Sequence, residues 1–139
     1  HFLLQVNDQL IDPIALAVVQ RDDLPSPHGA AADELFSNAS AMMIGFRMLN
    51  NLKAYNLRLQ NWAGMLAVSD YQLALAHAEP NLVGMVHFER GEYSQPLGES
   101  DAALEGYTRC IALCERDSLV EKATDRVQTL LAEHRGALH

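Results

Sequence analysis

Apolar and polar residues alternate over residues 1–14, HFLLQVNDQLIDPI, on either side of Asn7-Asp8. A period of two broken by an Asn-Asp pair predicts a β-hairpin. Residues 20–34, QRDDLPSPHGAAADE, carry Pro25, Pro27 and Gly29 and predict a loop, with a short helix near Ala31–Phe36. From Asn38 or Ser40 onward the period becomes helical almost to the end. Asn38 or Ser40 would cap a first long helix through about Leu59, whose apolar stripe is Met48, Leu49, Leu52, Tyr55 and Leu59. A second helix is expected from Asn61 or Trp62 to Ala78, stopped by Pro80, and a third over residues 82–95. Ser100 opens a fourth, to about Arg116, and Ser118 caps a fifth, to about Arg135.

These elements predict a mainly α chain with a boundary near residue 38: a hairpin and linker over 1–37, and a helical domain over 38–139. The 139 residues suffice for one real core, burying roughly 68% of the unfolded surface. With 10 Lys and Arg against 18 Asp and Glu, the net charge of −8 argues against a nucleic-acid backbone or an anionic membrane as partner. No charge-free apolar run reaches the ~18 residues needed to span a bilayer. Two cysteines, Cys110 and Cys114, are too few for a disulfide scaffold and point to a reducing compartment.

The paired helices contain a repeat-like spacing. Gly91, Gly98, Ala103, Tyr107 and Cys110 follow the small, small, small, aromatic, small skeleton of a tetratricopeptide unit, in which small residues let two helices approach and the aromatic fills the gap. Residues 44–80 fit more loosely, with Leu52, Trp62 and Met65 at the corresponding places, and residues 119–135 resemble a solenoid-capping helix. An ordinary antiparallel helical bundle is the competing architecture.

The stretch RMLNNLKAYNLRLQNW, Arg47 to Trp62, resembles the signature of the bacterial SirB family, in which a transglutaminase-like domain precedes tetratricopeptide-like helices. HFLLQVNDQLIDP resembles that family's strand, turn, strand and Asp-Pro at the end of the transglutaminase-like domain. Ile14-Ala15-Leu16 departs from the family's Phe- and Gly-rich continuation. The resemblance implies tetratricopeptide-like antiparallel helix pairs, about five helices, with a hairpin left from the upstream domain. It also implies a cytoplasmic bacterial protein, and places His1 and Asp12 at the His and Asp positions of a papain-like site.

A hairpin with a two- or four-residue loop puts His1, Leu3, Gln5, Leu10 and Asp12 on one face, with His1 and Asp12 as diagonal neighbours about 7–8 Å apart. The nucleophile is not supplied. Cys110 and Cys114 lie one turn apart on a repeat helix, where buried thiols are inert, and a metal site there would lack two ligands. No cofactor or metal is expected.

Arg47, Asn50, Asn51 and Arg58 share a helix face away from Leu49, Leu52 and Tyr55, and are expected to dock the helix onto the hairpin domain. Met42, Met43, Met48, Met65 and Met85 are expected as core filler, Trp62 as a packing aromatic, and His77 and His87 near the surface. Asn38-Ala39-Ser40 fits a glycosylation tripeptide without a secretion signal to support it.

The expected function is a non-catalytic protein-interaction module for an unidentified protein or peptide, joined to an upstream transglutaminase-like domain. The alternative is the C-terminal part of a papain-like acyl-transfer or peptidase-type enzyme whose Cys nucleophile lies upstream of His1. The missing initial methionine favours the latter part of a longer protein. Unpaired hairpin edges offer a route to homo-oligomers.

Overall fold

The computed structural model describes residues 3–6, 9–12, 15–20 and 40–136. The chain divides into two compact units, His1–Asn38 and Ala39–His139. His1 and the short helix expected near Ala31–Phe36 lie outside the described residues.

The first unit holds three antiparallel strands in sequence order: β1 (Leu4–Val6), β2 (Gln9–Asp12) and β3 (Ala17–Val19). Val6 pairs with Gln9 and Leu4 with Ile11, the register shared by the two loop lengths considered, two or four residues. That register puts Gln5, Leu10 and Asp12 on one face. The third strand was not anticipated. Three residues, Ala17-Val18-Val19, are too few to display a period, yet they pair with β2 through Val19–Leu10, Val18–Ile11 and Ala17–Asp12. The β2 edge expected to be open is therefore covered by β3. Leu16, before β3, takes a left-handed φ of 53°, a costly conformation for a residue with a Cβ.

The second unit is built of five helices: α1 (Ala41–Arg58), α2 (Trp62–Ala76), α3 (Pro80–Ser94), α4 (Ser100–Leu113) and α5 (Asp117–Gly136). Side chains cap the first two. The Ser40 Oγ accepts the Met43 N–H at 3.1 Å, and the Asn61 Oδ1 accepts the Gly64 N–H at 3.1 Å. Pro80 opens α3 two residues earlier than expected, because a missing N–H costs nothing at the first helical position. Gly98, at φ 74°, ends a short 3₁₀ turn after α3. Helix α4 stops at Leu113, before the expected Arg116, as Cys114 turns extended.

Each helix packs on the next. The tightest crossing joins α3 to α4. A Cβ on Gly106 would lie 2.7 Å from the His87 carbonyl oxygen and 2.8 Å from the Gly91 nitrogen, so the two backbones touch. A Cβ on Gly91 would lie 2.6 Å from the Tyr107 ring, which is fully buried over that glycine and stands 5.5 Å from Phe88, centroid to centroid. Around it Ala103, Cys110, Cys114 and Ala123 form one core cluster, while Phe46, Ala76 and Val86 form another between the earlier helices.

Three expectations about burial are corrected. On α1, Met48, Leu52, Tyr55 and Leu59 are 64%, 47%, 56% and 59% exposed, and only Leu49 of the predicted core stripe is half-buried. The helix instead buries Phe46, Lys53 and Asn56. Met43 is exposed with Met48; Met65 is buried, and Met42, Met85 and Trp62 are half-buried. His87 is buried rather than near the surface, because α4 crosses directly over its turn of α3 at Gly106.

Gly106→Ala should destabilise the helical unit despite alanine's higher helix propensity of about 1 kcal/mol. The backbone contacts that it meets cannot swing aside, so a net loss of about 2 kcal/mol is expected in urea denaturation. Gly136→Ala, which meets nothing, should change stability by less than about 0.5 kcal/mol. An unchanged midpoint for Gly106→Ala would show that the helices can part without cost.

Candidate interaction surface

The amphipathy of α1 is inverted relative to an ordinary packed helix. Its inward side is held by Phe46 and by polar bonds. Lys53, 6% exposed, forms an ion pair with Glu89 of α3 and lies 5.9 Å from the centre of the Tyr93 ring. Burial, then the negative charges of Glu89 and Glu92, pushes the Tyr93 phenol above its ordinary range. The Asn56 amide donates to the Leu52 carbonyl at 2.9 Å and its Oδ1 accepts from the Asn61 amide at 2.8 Å, which ties the end of α1 to the start of α2. The fully buried Gln72 of α2 donates to the Asn50 Oδ1 at 2.8 Å, while its own Oε1 finds no partner among the described residues.

The outward side carries Ile44, Met48, Leu52, Tyr55 and Leu59, all exposed. Their spacing of 4, 4, 3 and 4 residues lines one stripe about 22 Å long at 1.5 Å per residue. Such a stripe leaves on the order of 600 Å² of apolar side chain in water, at the top of the range for a monomer's largest patch. Arg47, Asn51 and Arg58 run beside it, exposed. Asn50, the fourth member of that polar group, is engaged within the helical unit by Gln72. A second apolar surface lies at the far end of the unit, where Leu104 of α4 and Leu130 and Leu131 of α5 line a groove of about 340 Å³.

The remaining candidate residues fall as follows. The Asp12 Oδ1 accepts the Ala15 N–H at 3.0 Å, closing the turn from β2 toward β3. His1 lies outside the described residues, so the expected His1–Asp12 pair is not part of the described structure. Cys110 and Cys114 are buried free thiols, and burial, followed by the neighbouring Cys114, pushes the Cys110 thiol up to about 11. A thiol at that value supplies almost no thiolate at neutral pH. Tyr107 donates its hydroxyl to the Glu92 carboxylate at 2.7 Å and accepts from Gln95 at 2.7 Å, while Arg126 of α5 pairs with Glu92 at 2.9 Å. Burial first, then the bond to Glu92, keeps this phenol protonated, so the network braces helices rather than moving protons. Among the described residues no group of three His, Cys, Asp or Glu side chains could hold a metal ion, and no helix is long and apolar enough to cross a membrane.

The inverted amphipathy was missed in the sequence because Met48, Leu52, Tyr55 and Leu59 have a core stripe's spacing. The available warning was the buried side's composition: Lys53 and Asn56 recur three residues apart, one helical turn, where apolar residues would be expected. Comparison of the chain with protein-family models, curated proteins and solved structures finds no match.

The Asn50–Gln72 bond predicts a paired effect. Asn50→Ala strands the Gln72 amide in the interior and should cost about 1–3 kcal/mol in thermal or chemical denaturation. In that background Gln72→Met, which removes the stranded group, should restore part of the loss. A double mutant less stable than Asn50→Ala alone would contradict this account.

Proposed function

We propose that the chain is a non-catalytic interaction and scaffold module of tetratricopeptide-like helices, with α1 as its principal docking face. One observation carries the reading. Helix α1 is held in its own unit by Phe46, Lys53, Asn50 and Asn56 and turns five large apolar side chains outward. A face of that size lowers its free energy only by meeting another apolar surface. The partner is a protein or peptide segment with an apolar helix or strand face. Arg47, Asn51 and Arg58 beside the stripe suit hydrogen bonds to backbone carbonyls or carboxylates of that partner.

The close crossing of Gly91 and Gly106 under Tyr107, with Ala103 and Cys110 in the same cluster, supports the tetratricopeptide-like pairing of α3 and α4. The SirB-like resemblance would make an upstream transglutaminase-like domain of the same protein the natural partner of α1. Two reduced cysteines fit a cytoplasmic setting. The acyl-transfer alternative takes its nucleophile from upstream of His1, since both thiols of the helical unit are buried. Homo-oligomers through the strand edge of β1 remain part of the proposal, with β3 already covering the other side of the hairpin.

The test uses the protein in its native cell, with a photo-activated cross-linking residue at Leu52 or at the control position Thr108 of α4. Leu52 should give a discrete cross-link, to a second polypeptide or to a segment outside the helical unit, and Thr108 should give none. Met48→Glu should reduce the Leu52 product while changing the stability of the helical unit by less than about 0.5 kcal/mol, since Met48 is exposed. Equal labelling from both positions would sink the docking role of α1.

A further inference from the structure

A polar cavity of about 270 Å³ opens on the side of the helical unit where α2, α3 and α4 meet. Its wall on α3 is formed by His87, Arg90 and Ser94, which recur at three- and four-residue spacing and share one helix face. Its wall on α4 is formed by Glu105, Gly106 and Arg109, and Leu73 of α2 closes the third side. The cavity exists because of the α3–α4 crossing. Gly106, where the two backbones touch, lines it together with the longer side chains on either side.

Two of the wall residues are largely buried, and the unpartnered polar atom sealed from solvent among the described residues is the Gln72 Oε1, not one of theirs, so their polar atoms open into the cavity. His87 is 9% exposed and Ser94 3%, both line the cavity, and neither side chain makes a hydrogen bond among the described residues. Polar atoms that open into a cavity without a protein partner take their hydrogen bonds from whatever fills it, so the pair offers one hydroxyl and one imidazole to an occupant. The two arginines supply the charge. Arg90 pairs with Asp70 at 2.5 Å and Arg109 with Glu105 at 2.8 Å, and each guanidinium keeps further N–H groups beyond those bonds. The carboxylates concerned are 67% and 63% exposed, and surface pairs of that kind hold weakly enough for a better-placed anion to compete.

We infer that this cavity binds a phosphate group, held between the Arg90 and Arg109 guanidiniums with the Ser94 hydroxyl and the His87 ring at its base. A planar carboxylate is satisfied by one bidentate arginine. Donors arriving from two helices, with a hydroxyl and an imidazole beneath, suit a tetrahedral oxyanion, and the volume admits a phosphate or a small phosphate monoester. The site is separate from the outward face of α1, and either can fail without the other.

The local field has the right sign. Burial, then Arg109 and Arg90, holds the His87 ring below its ordinary 6.5, and Glu105 opposes them less strongly. Those three are the charged groups that face the ring, from α3 and α4. From α2 the cavity receives only Leu73, and Asp70 is tied to Arg90. The empty cavity therefore leaves His87 neutral at pH 7.5. A bound dianion favours the imidazolium and moves the titration midpoint upward, and by linkage it binds more tightly as pH falls through that midpoint.

The test is an NMR titration of the whole chain at pH 7.5 and constant ionic strength, following the His87 ring and the Arg side-chain resonances. Inorganic phosphate should shift them saturably, while acetate and chloride over the same range should not. Glycerol phosphate distinguishes the source: tighter binding than inorganic phosphate assigns a small phosphate ester, and equal or weaker binding assigns the free ion. Arg109→Gln, at an exposed position, should weaken phosphate about tenfold, or about 1.4 kcal/mol. Glu105→Gln should tighten it roughly threefold by removing the competing carboxylate. With sulfate, whose charge is constant over this range, the His87 midpoint should rise. Indistinguishable responses to phosphate, acetate and chloride, or a Glu105→Gln variant that binds more weakly, would overturn the assignment.

Discussion

The contact between the backbones of α3 and α4 is the constraint on which the helical unit is organised. Two helices can touch at Gly91 and Gly106 only because neither residue carries a Cβ, and the Tyr107 ring fills the space that Gly91 leaves. Once that distance is set, the flanking side chains have little choice. Cys110 and Ala103 fall into the core beside Tyr107, α5 closes over them through Ala123, and the Tyr107 hydroxyl is carried to Glu92, which Arg126 then reaches from α5. The same approach buries His87 and Ser94 beside a void with two arginines at its rim. Core and cavity are thus two consequences of one pair of glycines.

A different principle operates at the other end. The α1–α2–α3 contacts add directional polar bonds to the Phe46, Ala76 and Val86 cluster: Lys53 to Glu89, Gln72 to Asn50, Asn61 to Asn56. Breaking one partner of such a pair is expensive, while its net gain over apolar packing is small. An interior of this kind holds α1 in one orientation with Phe46 as its buried apolar anchor and leaves the Ile44-to-Leu59 stripe outside. The proposed docking role rests on this division, one side of α1 belonging to its own unit and the other left exposed. It also accounts for why so apolar a stripe as Ile44 to Leu59 stays outward: the inward places are occupied by groups that need each other.

Much of the architecture was legible in the residues. Alternation around Asn7-Asp8 placed the first two strands in register, and Ser40, Asn61, Pro80 and Gly98 marked helix ends to within a few residues, because these signals act locally through backbone geometry and capping. The spacing from Gly91 to Cys110 anticipated a close helix crossing. Strand β3 was not legible, since its three residues gain their pairing only from β2, and the local clue, Asp12 reaching Ala15, requires the chain already to be turned. The burial of His87 was equally hidden, because it depends on Gly106, nineteen residues further along.

The amino-acid sequence by itself determined where helices begin and end, which residues could share a face, and that α3 and α4 could come into contact. These follow from dihedral preferences, capping and side-chain size, all of which act over a few residues. Only the tertiary structure decided which face of α1 is inside, that Asn50 serves Gln72, and that His87, Ser94, Arg90 and Arg109 surround one cavity. Periodicity describes a face without saying what covers it, and a cavity is a property of three helices at once.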